Sequence, residues 1–140
     1  MVLTEEQVKE KFMEFQFIQK QLEKIQGHAE TLTNQAQELE ISVNAIKELG
    51  KTAPKTEILA PIANGIFIKA QLNDNQKLIV NVGSDTTVER TTEETAALLE
   101  KQREEVAKSI IEAESVQQQL AQHAMKLYQE IEEHMKEDEE

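Results

Sequence analysis

TEILAPIANGIFIKAQLNDNQKLIVNVGSDTTVERT, residues Thr56–Thr91, is the one stretch of this 140-residue chain without a helical pattern. Ile58–Ala63 and Ile66–Leu72 are apolar runs rich in β-branched residues, and Asn64-Gly65 separates them. Asn-Gly between two such runs predicts a β-hairpin with a type I′ turn, in which both central residues need positive φ. Pro61 has no amide hydrogen for a ladder, so it marks an edge strand or a bulge. After Asn73-Asp74-Asn75-Gln76 comes a third run, Lys77–Val82. Gly83-Ser84-Asp85 then turns the chain into a weaker fourth strand, Thr86–Thr91.

Two hairpins alone are marginal in water. Ile66-Phe67-Ile68 and Leu78-Ile79-Val80 are apolar on both faces, and one chain cannot cover both faces of such small sheets. The expected resolution is pairing with hairpins of other chains, closing a sheet or barrel between subunits. The alternative is packing onto the base of the chain's own helices.

Outward from this centre lie two long helical patterns. Thr4-Glu5-Glu6-Gln7 fits a capping box at the start of the first. With Val8 at heptad position a, the a sites are Val8, Phe15, Leu22, Ala29, Ala36 and Val43. The d sites are Lys11, Ile18, Ile25, Leu32, Leu39 and Ile46, so Lys11 is the one polar member. Gly50 is placed as a C′ cap, and Pro54 stops the helix. A helix of that length would extend roughly 70 Å, too long to fold into a small globule without a partner along it.

The second pattern opens with another capping box, Thr91-Thr92-Glu93-Glu94. Its seam runs Leu99, Arg103, Val106, Ile110, Ala113, Gln117, Leu120, Ala124, Leu127, Ile131 and His134. Matched helices joined by a compact connector associate antiparallel, with Phe15 level with Lys126 and Leu22 with Leu120. The expected class is therefore α+β: a long antiparallel two-helix coiled coil with two β-hairpins between the helices. It divides into a helix at 1–52, a hairpin module at 53–91 and a second helix with an acidic tail at 92–140.

Near the chain termini the heptad leaves apolar residues on outer positions. Phe12 is at e, Met13 at f and Phe17 at c, while Tyr128 and Met135 are at e of the second helix. Grouped apolar residues on an outer face suggest a binding surface for partners of no fixed shape. A thickened core knot explains Phe12 and Tyr128 but not Met13 and Phe17. The closing run Glu137-Asp138-Glu139-Glu140 reads as a solvating tail, with docking to a basic partner as the alternative.

Charge and composition narrow the function. A formal net charge of −12 repels phosphate, so nucleic acid and anionic membranes are not expected partners. The absence of cysteine removes disulfides and thiolate chemistry, in keeping with a reducing compartment. The start MVLTEEQ shows no signal-peptide pattern and no run approaches a membrane span, so a cytoplasmic location is expected. The four glycines at 27, 50, 65 and 83 form no phosphate loop. His28, His123 and His134 lack metal-ligand spacing and are expected to be solvated. No catalytic residue, metal site or cofactor is expected, and the chain does not read as an enzyme.

Long helix, two hairpins, long helix, with EILAPIANGIFIKAQL and KLIVNVGSDTTVERT between the arms, resembles the α class of prefoldin subunits in its archaeal form. The likeness spans the whole chain. It implies a hexamer of two α and four β-class subunits, joined through a β-barrel platform. It also implies ATP-independent capture of non-native polypeptides at the arm tips and transfer to a group II chaperonin. Carried onto this sequence, the assembly residues are Ile58, Ile62, Ile66, Phe67, Ile68, Leu78, Val80 and Val82. The tip residues are Val8, Phe12, Met13, Phe17, Tyr128, Ile131 and Met135. Competing expectations are a filament-forming structural protein of the same fold and a two-helix adaptor for one helical partner.

Overall fold

The structure is a computed structural model describing residues 3–139. Its elements are α1 (Glu5–Lys51), β1 (Glu57–Ala63), β2 (Ile66–Gln71), β3 (Lys77–Gly83), β4 (Thr86–Thr91) and α2 (Thr92–Glu139), in the expected order. They group into two compact units. Unit 1 comprises Met1–Gln35 with Val106–Glu140, and unit 2 is Ala36–Glu105.

In unit 1 the N-terminal part of α1 packs against the C-terminal part of α2. The capping box forms as expected: the Thr4 amide donates to Gln7 Oε1 at 2.9 Å, and the Gln7 amide donates to Thr4 Oγ1 at 3.2 Å. Every expected seam residue in this unit is buried or half-buried. Ile18, Ala124 and Leu127 form a core onto which Phe15, Leu22 and Leu120 pack. Lys11 keeps its seam position because its ammonium leaves the apolar layer to pair with Glu130 across the helices.

Unit 2 has its own seam, in which Val43 is the most deeply buried side chain of the described residues. Arg103, polar at a seam position, is half-buried and directs its guanidinium to Glu40 and Glu100, each at 3.8 Å. Lys47 meets Glu100 at 3.3 Å. The start of α2 forms its capping box, with reciprocal bonds between Thr91 and Glu94 at 3.0 and 3.3 Å.

Gly50 does not cap α1. The helix runs through it to Lys51, and positive φ falls instead on Lys55 at 72°. Packing explains the glycine, since a Cβ there would stand 3.1 Å from Cγ2 of buried Thr92. The open carbonyls at the end of α1 are met by side chains from the β2–β3 connection. Asn75 Nδ2 donates to Thr52 O at 2.9 Å and Gly50 O at 3.3 Å, and Gln76 Nε2 reaches Gly50 O at 3.4 Å. Thr92 in turn donates its hydroxyl to Asn75 O at 2.7 Å and its amide to Gln76 O at 2.8 Å. Helix end, connector and helix start are thus tied at one node.

The hairpins form two separate two-stranded antiparallel sheets, β1–β2 and β3–β4. They repeat one another: Glu57 pairs Gln71 and Pro61 pairs Phe67, just as Lys77 pairs Thr91 and Asn81 pairs Thr87. Each register shifts near its turn, leaving out Ile62 in the first hairpin and Val82 in the second. The shift beside Pro61 is a bulge of the kind that accommodates a missing amide hydrogen, and the second hairpin carries the same shift without a proline.

The turns differ from the expected chemistry. At Asn64-Gly65 only Gly65 has positive φ, 77°, so the type I′ turn is not formed there. The second hairpin has positive φ at both Ser84 (49°) and Asp85 (58°), between the paired Gly83 and Thr86. Type I′ dihedrals therefore fall on Ser-Asp rather than on Asn-Gly. Gly83 at 115° relieves the bulge, and its amide bonds Asn81 Oδ1 at 2.9 Å.

Candidate functional site

Exposed large apolar side chains gather in the hairpins of unit 2 and near the chain termini in unit 1, with Ile41, Leu98, Ile111 and Val116 exposed outside these two groups.

In unit 2, cross-strand pairing decides which residues share a sheet face. Ile58, Ala60, Ile68 and Ala70 lie on one face of the first hairpin, and Leu59, Pro61, Phe67 and Lys69 on the other. Ile58 is half-buried, while Ile62, Ile66, Phe67 and Ile68 are exposed. In the second hairpin Leu78, Val80 and Val88 share a half-buried face and Val82 is exposed at its bulge. The opposite face is mixed, with Ile79 71% exposed beside a Lys77–Glu89 pair at 3.6 Å. Leu59 and Ile79 thus join the exposed apolar set on the faces opposite Ile58 and Leu78. Each strand has one partner, so each also presents an unpaired edge.

In unit 1, Met13 is 67% and Phe17 61% exposed. They stand one turn apart on α1 and so form one outward patch. Phe12, Tyr128 and Met135 are also exposed. Tyr128 leans on half-buried Phe15, ring centroids 6.1 Å apart, leaving the rest of its ring uncovered. Val8 is half-buried in the seam and Ile131 is 9% exposed, so these two support the surface from beneath. Met125, 65% exposed, is absent from the sequence-expected set. Its signal was its position one turn before Tyr128 on the same α2 stripe.

The other flank of unit 1 is ionic. Lys11 pairs with Glu130, and Glu14 Oε1 lies 3.1 Å from His123 Nε2. The hydrogen bond from Lys11 holds the Glu130 carboxyl below the usual carboxylate range. His123 is therefore paired across the helices rather than merely solvated. His28 is exposed and lines a shallow groove with Ile25 and Ala113. Among the described residues no group of His, Asp or Glu is placed to hold a metal ion. No helix of the described residues is long and apolar enough to cross a membrane. Glu140 of the acidic run lies outside the described residues.

Similarity to known proteins fits this architecture. Residues 18–137 match the Prefoldin subunit family. The prefoldin subunit alpha of Methanothrix thermoacetophila is 29% identical over 105 residues, covering 75% of this chain and 69% of that protein. The prefoldin subunit alpha of Pyrococcus horikoshii is 34% identical over 98 residues, covering 69% and 66%. In fold the chain resembles a cryo-EM structure of filamentous PFD from Methanocaldococcus jannaschii, with a TM-score of 0.61. That match has 20% identity and covers 88% of this chain and 96% of the other. With two long helices, two intervening hairpins and a family match over most of its length, the chain belongs to the prefoldin subunit family.

Proposed function

We propose that the chain is the α-class subunit of an ATP-independent chaperone that holds non-native polypeptides on unit 1. The observation that carries this reading is the outward Met13–Phe17 patch, with Phe12, Tyr128 and Met135 also uncovered. Monomeric soluble proteins rarely leave such a group of large apolar side chains in water without a binding role. Methionine and phenylalanine adapt to irregular apolar partners, which suits clients with no common shape.

The hairpins serve assembly in this account. Their exposed apolar faces and open edges suit pairing with hairpins of β-class subunits, giving the hexamer of two α and four β chains. Several weak apolar surfaces on one assembly then bind a client together, and affinity rises through effective concentration. Release follows when a group II chaperonin competes for the same surface.

The test is suppression of aggregation of chemically unfolded clients by the chain assembled with a β-class partner. Met13→Lys/Phe17→Lys abolishes this chain's share of protection while helix content and assembly size stay unchanged. Full protection by the double variant would refute the assignment.

A further inference from the structure

Asn64-Gly65, at the tip of the first hairpin, has a reactivity that the fold leaves unrestrained. Asn64 is the one asparagine of the chain that is followed by glycine. Both residues are exposed and lie between the last paired residues, Ala63 and Ile66, so neither enters the ladder. Gly65 has a φ of 77°, and a Cβ there would meet no atom within 4 Å beyond its chain neighbours. Its amide nitrogen is thus open to the Asn64 side chain. The other asparagines are held or hindered. Asn75 donates to Thr52 O and Gly50 O, and Asn81 Oδ1 accepts the Gly83 amide at 2.9 Å. Asn34 and Asn44 lie inside α1, where the amide of the next residue is engaged in the helix ladder. Asn73 is exposed, but Asp74 follows it and places a side chain beside the nitrogen that would attack.

We propose that Asn64 is a site of spontaneous deamidation that ages the first hairpin. Gly65 loses its amide proton to base, and its nitrogen attacks Cγ of Asn64. The new N–Cγ bond closes a succinimide ring as ammonia leaves. Water then opens the ring at either carbonyl. Attack at Cγ gives aspartate, and attack at the α-carbonyl gives isoaspartate, whose main chain runs through the β-carbon. The balance is one side-chain amide and one water converted to one carboxylate and ammonium. Either product adds a negative charge to a chain already at −12. Isoaspartate also inserts a backbone carbon into the short loop between paired Ala63 and Ile66. The β1–β2 sheet has no third strand to hold its register, and such sheets are marginal alone. The pairing of Ala63 with Ile66 is therefore lost first, beside exposed Ile62, Ile66 and Phe67. The consequence for assembly rests on the reading above: isoaspartate in this turn withdraws the chain from those able to pair their hairpins.

The experiment ages the full chain at mildly alkaline pH and follows each asparagine by peptide mapping and mass spectrometry, with isoaspartate labelled by isoaspartyl methyltransferase. With no side chain to hinder attack, Asn64 is expected to convert about tenfold faster than Asn73, in line with the conformational freedom of glycine. Amide exchange of β1–β2 should accelerate as isoaspartate accumulates, while β3–β4 keeps its protection. Asn64→Gln, whose longer side chain would have to close a larger ring, stays protected through the same ageing. Freshly made Asn64→Asp carries the charge without the extra backbone carbon and also stays protected. Conversion of Asn64 no faster than that of Asn73 would overturn the site. Unchanged β1–β2 exchange in chains carrying isoaspartate would overturn its effect on the hairpin. Failure of even the fresh chain to assemble with a β-class partner would sink the assembly reading and leave the chemistry at Asn64 standing.

Discussion

Replacing Asn75 should loosen the attachment of the hairpins, and the order of its variants identifies the cause. Its amide donates at 2.9 and 3.3 Å to carbonyls at the end of α1, which have no partner within the helix. Asn75→Ala leaves both without that donor. A neutral hydrogen bond contributes about 1 kcal/mol net, and the longer one less, so the loss is about 1.5 kcal/mol. Asn75→Asp removes the same donors and sets a negative charge against the negative end of the helix dipole. That adds roughly 0.5 kcal/mol. Urea unfolding followed by far-UV circular dichroism gives the ranking wild type, then Ala, then Asp. Amide exchange should accelerate at Thr92, whose amide bonds Gln76 in the same node. If Asp proves more stable than Ala, the Asn75 side chain is not acting as a donor to α1 and the account of the node fails.

Two further predictions concern the second turn and the cross-helix pairs. Asp85 holds a φ of 58° that glycine adopts without steric penalty, so Asp85→Gly should stabilise the β3–β4 hairpin by about 1 kcal/mol. Thermal unfolding of the two proteins side by side checks this, and a lower midpoint for the variant would mean that the turn is not type I′. The lowered pKa of Glu130, caused first by its hydrogen bond from Lys11, makes their pair pH-dependent. A carboxyl depressed in the folded state contributes stability above its unfolded pKa and loses it as pH falls through the folded value. Wild type should therefore exceed Glu130→Gln in melting temperature at neutral pH. The difference should shrink below about pH 4 and vanish once Glu130 is protonated in the folded state. A difference that persists after that point would place its origin elsewhere.

Much of the architecture was legible because helix and strand periods are set by local sequence. The heptads located the seams, including Lys11 and Arg103, whose long side chains reach carboxylates beyond the apolar layer. Both capping boxes were readable as four-residue patterns. The end of α1 was not. Gly50 sits where a cap belongs, yet its reason is the nearness of Thr92, distant in sequence and brought close only by folding. The turn types were not legible either: the same register shift precedes both turns, yet positive φ at both central residues falls on Ser84-Asp85 and not on Asn64-Gly65. At the candidate surface, Met13 and Phe17 stood out as apolar residues on outward heptad positions. Met125 carried no heptad signal of its own, although it stands one turn before Tyr128, which the pattern already placed on the outer face.

Photo-crosslinking asks most directly where a client is held. A photoreactive phenylalanine analogue placed singly at Phe17, at Tyr128 and at exposed Ile79 in the hairpins would be irradiated in the assembled complex with an unfolded client. The account predicts client adducts from Phe17 and Tyr128 and none above background from Ile79. Adducts concentrated at Ile79, with Phe17 and Tyr128 silent, would contradict it.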